Sequence, residues 1–377
     1  MDKGATPMNK TLLMVSGDRM LAAGMDGAFF HMLTEFHKHW DRIDIIVPRV
    51  ARGCMVRQNP FPNVYVHASR LPLLMQWLHI FRTGMRLGRE RTYGGMTIHE
   101  YPPFYNGIGG LFLARRLGIP ALLEIFHIPG VPRAGSFREV VYRYLSRIIV
   151  PVEARIASGV RVMNMSETGK RLLAWGVARE KLHLIPALFL PTMQEPPQMP
   201  VTHDFIFVGR IERNKGIQRA IEALARLEHA TMRVIGTGSL LDWAQQYARQ
   251  QGVSSRITWS GWVDSAAEVL QAIREARALV MLSDSEGGPR VAVEALACGI
   301  PVIATPVGVI QDLGQEGAAV RIVHWSLDDI VQGMRDVLED PSWQIRAEKG
   351  SHDIRERYAR EQVISASARA IQNIFQL

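Results

Sequence analysis

The sequence predicts an α/β protein of two Rossmann-like, doubly wound parallel-sheet domains facing a cleft. Three observations predict it. Short apolar runs alternate with helix-period stretches, a proline-rich segment interrupts them near mid-chain, and the alternation then restarts. At 377 residues the chain exceeds one ordinary core and suits two domains of under about 200 residues each.

In the first half, Thr11–Val15 and Ile43–Val47 read as buried parallel strands, with the amphipathic stretch Ala28–Trp40 between them. Ala121–Phe126 reads as a strand, Arg138–Ala157 as a helix and Gly159–Met163 as a strand. The segment Pro186–Val201, rich in proline and without periodicity, reads as a linker. Beyond it, Phe205–Val208, Thr231–Ile235, Ile257–Ser260, Ala278–Leu282 and Pro301–Ala304 are expected strands. Ile217–Leu227, Leu240–Gln251, Ser265–Ala276 and Arg290–Ala297 are expected helices, and Asp353–Leu377 reads as one or two more. In such sheets, ligands bind outside the carboxyl ends of the strands.

Composition narrows the class. With 47% apolar and 21% charged residues the chain is globular rather than disordered. Cys54 and Cys298 lie far apart and offer no metal-ligand spacing, so a reducing compartment is expected. The longest candidate span, Leu71–Phe81 between Arg70 and Arg82, falls short of the roughly 18 apolar residues a spanning helix needs. The start of the chain reads directly into a strand rather than as a signal peptide, and a cytoplasmic protein is expected. Residues 1–196 carry 25 Lys and Arg against 14 Asp and Glu, whereas the remainder carries 19 against 22. A first half this basic suits an anionic partner. The arginines are dispersed among apolar positions without a nucleic-acid module, so an anionic membrane surface or a phosphate-bearing acceptor fits better than nucleic acid. A merely solvated basic face explains the same count.

Two segments carry chemistry. In Ser283–Gly299 a strand ends in a loop holding Glu286, Gly287 and Gly288. A helix then opens at Pro289, with Glu294 eight positions after Glu286. The glycines let backbone amides approach a ligand, and the helix start offers free N–H groups to an anion. Two glutamates on one helix are usually solvated, but their apolar neighbours make burial costly without partners. In Phe205–Gly216 a strand ends at Gly209, Arg210 follows, and Lys215 precedes Gly216 and a helix. A guanidinium and an ammonium at one strand end suit a diphosphate, though a plain basic turn would look similar.

Together these segments resemble family 4 of the glycosyltransferases, also called glycosyl transferases group 1, retaining enzymes of GT-B architecture. Glu286 and Glu294 match its paired glutamates, and Gly209, Arg210, Lys215 and Gly216 its glycine–arginine…lysine–glycine loop. The resemblance implies that Arg210 and Lys215 hold the diphosphate of a nucleotide-sugar donor, a UDP- or GDP-sugar. It implies that Glu294 binds the ribose hydroxyls, with Glu286 and the Gly287–Gly288 backbone near the transferred sugar. Gly24–Met25–Asp26–Gly27 resembles the glycine-rich loop after the first strand, its paired glycines here split, with Gly27 donor-binding. His127 falls where the family places an active-site histidine. His99 and Asn164 are candidates on the acceptor side, and Ser166 reads equally as a helix cap or a ligand.

The resemblance implies group transfer with retention, no resident cofactor and no metal, although Asp284-Ser285-Glu286 superficially suggests an acidic pair. The Gly236-Thr237-Gly238 turn lacks the third glycine of a dinucleotide fingerprint. No first-domain carboxylate reads as a nucleophile.

The expected domains are 1–188 on the acceptor side, a linker over 189–200, and 201–355 binding the nucleotide sugar. The helix of 356–377 is expected to cross back to the first domain. The expected partners are the donor and a glycan or lipid-linked acceptor of bacterial-type surface polysaccharide or glycolipid synthesis. An anionic membrane surface at the inner face of the membrane is added to them. Arg70–Arg91, which mixes Leu, Met, Trp77 and Phe81 with arginines, suits that surface or equally a helix packed on its own sheet. An epimerase, a non-catalytic nucleotide-sugar-binding protein and a nucleic-acid binder are the rival readings.

Overall fold

The computed structural model describes residues 10–51, 57–193 and 199–377, so Cys54 lies outside the described residues. Two compact units divide the chain. Unit 1 comprises residues 1–128, 142–187 and 360–377, and unit 2 comprises 129–141 and 188–359. Each is a parallel sheet wrapped by helices.

Unit 1 is built from β1 (Thr11–Val15), α1 (Ala28–Phe36), β2 (Arg42–Val47), β3 (Val64–Ala68), α2 (Gln76–Glu90), β4 (Gly95–His99) and α3 (Tyr105–Leu117). It continues through β5 (Ala121–Ile125), α4 (Phe137–Ile156, which begins in unit 2), β6 (Gly159–Val162), α5 (Lys170–Ala174) and β7 (Leu182–Leu184). The strand order is β3-β2-β1-β4-β5-β6-β7, all parallel. Leu12, Leu13, Ile43, Ile45, Ile46, Ile98, Leu122 and Leu123 are fully sequestered, as strands covered on both faces require. The amphipathic stretch expected to Trp40 leaves the α-helix at Phe36 and finishes as a 3₁₀ turn, His37–His39.

Unit 2 runs β8 (His203–Val208), α6 (Ile217–Ala225), β9 (Met232–Ile235), α7 (Leu241–Gln250), β10 (Ile257–Gly261), α8 (Ala266–Arg274), β11 (Ala276–Met281) and α9 (Arg290–Ala297). It then adds β12 (Val302–Ala304), α10 (Ile310–Gln315), β13 (Val320–Ile322), α11 (Leu327–Glu339) and α12 (Ser342–Arg357). Its order, β10-β9-β8-β11-β12-β13, reverses direction between β8 and β11. That reversal opens a crevice at the carboxyl ends of these two strands, where such sheets bind ligands. Phe205, Ile206, Ala278 and Leu279 anchor the central pair without exposure.

Leu188, Phe189 and Leu190, at the head of the proline-rich segment, are buried. The Leu190 amide donates to the Tyr358 carbonyl at 2.8 Å. The last helix, α13 (Arg360–Phe375), belongs to unit 1, where it packs on α1. Gln372 there donates to the His39 carbonyl, and Ser367 to that of Pro186. Among the described residues no helix is long and apolar enough to cross a membrane.

Candidate active site

In unit 2 the two motif loops meet at the β8/β11 switch point. Gly209 and Arg210 leave β8, and Arg213–Lys215 forms a 3₁₀ turn that ends at Gly216 with φ +76°. A side chain on Gly216 would collide with the Leu282 carbonyl, so glycine is needed to seat this turn against the end of β11. The Asp284 amide donates to the Asn214 carbonyl at 2.8 Å, tying one loop to the other. Lys215 Nζ consequently reaches the Glu286 carboxylate, which also accepts from Ser283 Oγ at 3.0 Å.

The loop bearing Glu286 is braced from several sides. Arg219 donates to Asp284 Oδ1 at 2.9 Å and to the Leu282 carbonyl at 2.6 Å, and Arg133 approaches the same carboxylate at 3.5 Å. Thr305 Oγ1 donates to the Ser283 carbonyl at 2.6 Å, and Ser285 Oγ to that of Val131 at 2.8 Å. The Asp284-Ser285-Glu286 carboxylates are thus matched to guanidinium and ammonium groups. Pro289 precedes α9, and no side chain caps that helix start.

One cavity of about 630 Å³ collects Gly209, Arg210, Lys215, Glu286, Gly288 and Glu294 along its wall. Burial pushes the Glu294 carboxyl above its ordinary value, with Arg290 pulling partly the other way. Gly287 lies in the same loop, and its carbonyl faces Gly308. Sequence reading missed Trp262, Val263 and Asp264, which close the cavity from the end of β10, and Arg290 at the mouth of α9. The one signal that could have found the first three is their place just after a strand, next to Gly261 with φ +65°.

Gly27, His99, His127 and Asn164 belong to unit 1, the last three at or just beyond the carboxyl end of a strand. Gly27 sits at the start of α1. The loop before it is held by Arg57, which pairs with Asp26 at 2.8 Å and reaches the Gly24 carbonyl at 2.7 Å. His99 is flanked by Tyr101 and Phe126, ring centroids 5.5 and 4.6 Å away. Burial, then Arg161, pushes its pKa down to about 4, so it is a neutral imidazole at pH 7. Asn164 Oδ1 accepts from the Glu167 and Thr168 amides at 3.0 and 2.9 Å. Asn164 is therefore the cap that the sequence reading offered to Ser166, because the turn opens two residues earlier than a cap at Ser166 requires.

Sequence reading also missed a buried carboxyl pair beside His99. Glu100 accepts from the Tyr101 amide at 2.9 Å and from the Gly107 amide, while neither oxygen of Glu153 finds a protein hydrogen-bond donor. A side chain on Gly107 would collide with both carboxyls, so the two converge there. Burial pushes Glu153 up to about 8, and burial together with Glu153 raises Glu100 well above the carboxylate range. Carboxyls raised in the folded state hold protons that the unfolded chain has released, so stability falls as pH climbs from about 4.5 to about 8. Glu153→Gln is expected to flatten that fall and to raise Tm at pH 8 by several degrees. Melting curves of both proteins from pH 5 to 9 check it, and parallel curves would refute the pair.

Two parallel-sheet units in one chain, the second carrying a cationic pair and two glutamates at its switch point, define a protein of GT-B architecture. Residues 199–360 match the family model described as glycosyl transferases group 1. The lipopolysaccharide 1,6-galactosyltransferase of Salmonella typhimurium is 28% identical over 156 residues, 40% of this chain and 41% of that protein. The match thus spans about two fifths of this relative's length. Among solved structures, sucrose-phosphate synthase from Thermosynechococcus elongatus superposes with a TM-score of 0.75 at 18% identity, over 97% of this chain and 99% of the other. Anabaena Alr3699/HepE, solved in complex with UDP and glucose, gives 0.70 at 15% identity, over 97% and 100%. These likenesses concern the fold.

Proposed function

We propose that the protein transfers a glycosyl group from a UDP- or GDP-sugar to a glycan or lipid-linked acceptor, with retention at the anomeric carbon. The observation that carries this reading is the convergence of Arg210, Lys215, Glu286 and Glu294 on one cavity at the switch point of the second sheet. Breaking the glycosidic bond develops positive charge on the sugar and negative charge on the departing diphosphate. Arg210 and Lys215 supply preorganised positive charge to that diphosphate, the larger share of such catalysis. No divalent metal and no resident cofactor is then required, and turnover should survive EDTA.

Glu294, part-buried on α9, accepts from vicinal ribose hydroxyls, and that contact repays the cost of keeping it charged. Glu286, already oriented by Lys215 and Ser283, stands with Gly287 and Gly288 toward the sugar hydroxyls. His127, His99, Asn164 and Gly27 are the unit 1 candidates for the sugar and acceptor. The relative's name places it in lipopolysaccharide synthesis, which supports surface polysaccharide or glycolipid assembly here.

A thermal-shift screen against UDP, GDP, ADP and their sugar conjugates tests the donor assignment. A ligand at 100 times its Kd stabilises the folded state by about 2.7 kcal/mol. A shift with one nucleotide class, lost in Glu294→Ala, is the expected outcome. Binding without product would point to a non-catalytic member, and no shift with any of them would sink the donor site.

A further inference from the structure

Helices α3 and α4 present an apolar outer face that nothing in unit 1 covers. On α4, Tyr144, Ile148, Val152 and Ile156 recur every fourth residue, one stripe along three turns. Ile108 and Phe112 on α3 stand one turn apart, and all six side chains are between 50 and 64% exposed. The opposite side of α4 is already satisfied, burying Val150, Pro151 and Ala154. Right-handed crossovers put α2, α3 and α4 on one face of the first sheet, because β3→β4, β4→β5 and β5→β6 all step the same way. The β1→β2 connection steps the other way, which sends α1 to the opposite face, where α13 covers it. The exposed Trp77 of α2, whose backbone lies against Gly109 of α3, continues the patch.

Charge on this face has one sign. Arg115, Arg116, Arg147 and Arg155 are exposed among the apolar residues; α3 carries no carboxylate, and on α4 Glu153 is buried and Glu139, at the far first turn, is half-buried and accepts from the Gly135 amide. A soluble monomer seldom shows so large an apolar face without an occupant. A second copy docking through the same patch would set arginines against arginines with no acid to pair them. An anionic lipid surface satisfies both chemistries at once, since guanidinium groups reach phosphates while the stripe enters the acyl boundary.

We propose that the α3–α4 face docks the protein on an anionic lipid bilayer. The segment Arg70–Arg91 contributes only its exposed leading end. Its helix, α2, spends Gln76, Ile80, Gly84 and Leu87 on packing within unit 1. The inference stands apart from the donor assignment, because it is read without any nucleotide present.

Sedimentation of the full chain with vesicles of phosphatidylglycerol in phosphatidylcholine, against vesicles of phosphatidylcholine alone, tests it. Binding to the anionic vesicles that weakens with added salt is expected. Ile148→Ser with Val152→Ser should lower the bound fraction about tenfold, and Arg147→Glu with Arg155→Glu should act likewise. All four positions are exposed, so the melting temperature should not change. No binding at low salt, or binding that these variants leave intact, overturns the proposal. So does a solution dimer that the serine variant dissociates without any vesicle binding, which would make a second copy the occupant.

Discussion

Lys215→Ala is expected to lower kcat by about two to three orders of magnitude while the protein stays folded. The ammonium sits half-buried between the end of β8 and the Glu286 carboxylate, inside the cavity that also holds Arg210 and Glu294. Under the proposed function, a positive charge fixed there would meet the donor diphosphate where its charge grows most as the sugar departs. Removing it costs transition-state stabilisation more than ground-state binding, so kcat should fall further than donor affinity. Arg210 is exposed on the rim, where water screens it, and Arg210→Ala should cost less. The variant also strips Glu286 of its cation, leaving Ser283 Oγ at 3.0 Å as a remaining donor. Steady-state kinetics with the donor identified by thermal shift decide the matter. Wild-type turnover in Lys215→Ala would remove leaving-group stabilisation from this loop. A loss confined to KM would make the lysine a binding residue only.

What was readable in the sequence follows from how locally each feature is encoded. The interior strands were legible because burial on both faces demands continuous apolar runs, as in Thr11–Val15, where expected and observed limits coincide. Three strands left unread, β3, β7 and β13, lie at sheet edges. An edge strand pairs on one side only, so Leu-His-Leu or Val-Arg-Ile suffices and no apolar run marks it. The two motif loops were legible for a similar reason. Gly209–Arg210, Lys215–Gly216 and the glutamates eight apart lie on two short stretches, each tied to one strand end.

Features assembled from distant positions left no such mark. Arg133 and Arg219 meet at Asp284 from three separate segments. Glu100 and Glu153 converge only because Gly107 lets α3 and α4 approach. Neither arrangement has a spacing that a single sequence displays, since each depends on which helix lies over which strand.

The same reasoning identifies the position in unit 1 where one substitution should do most damage to stability. Glu124 and Arg161 are register partners on β5 and β6, with side chains only 5 and 8% exposed and 2.7 Å between Oε1 and Nη1. Arg161 further donates to the carbonyls of Ile185 at 2.9 Å and Pro186 at 3.2 Å. Arg161→Met leaves a buried carboxylate and two carbonyls without their donor, a loss of about 3–5 kcal/mol. Glu124→Leu strands the guanidinium in turn and should cost about as much. The double replacement removes both charges and should recover most of the loss, because a well-packed apolar pair costs little where an ion pair has been desolvated. Amide exchange in β5 and β6 reads these effects on unit 1 alone. There is a second readout that a purely structural bridge elsewhere would not move. Arg161 is one of the causes that hold His99 below its ordinary value, so Arg161→Met should raise the His99 pKa in an NMR titration. Single variants no less stable than wild type, or an unmoved His99, would mean that the pair neither props these strands nor tunes the histidine beside them.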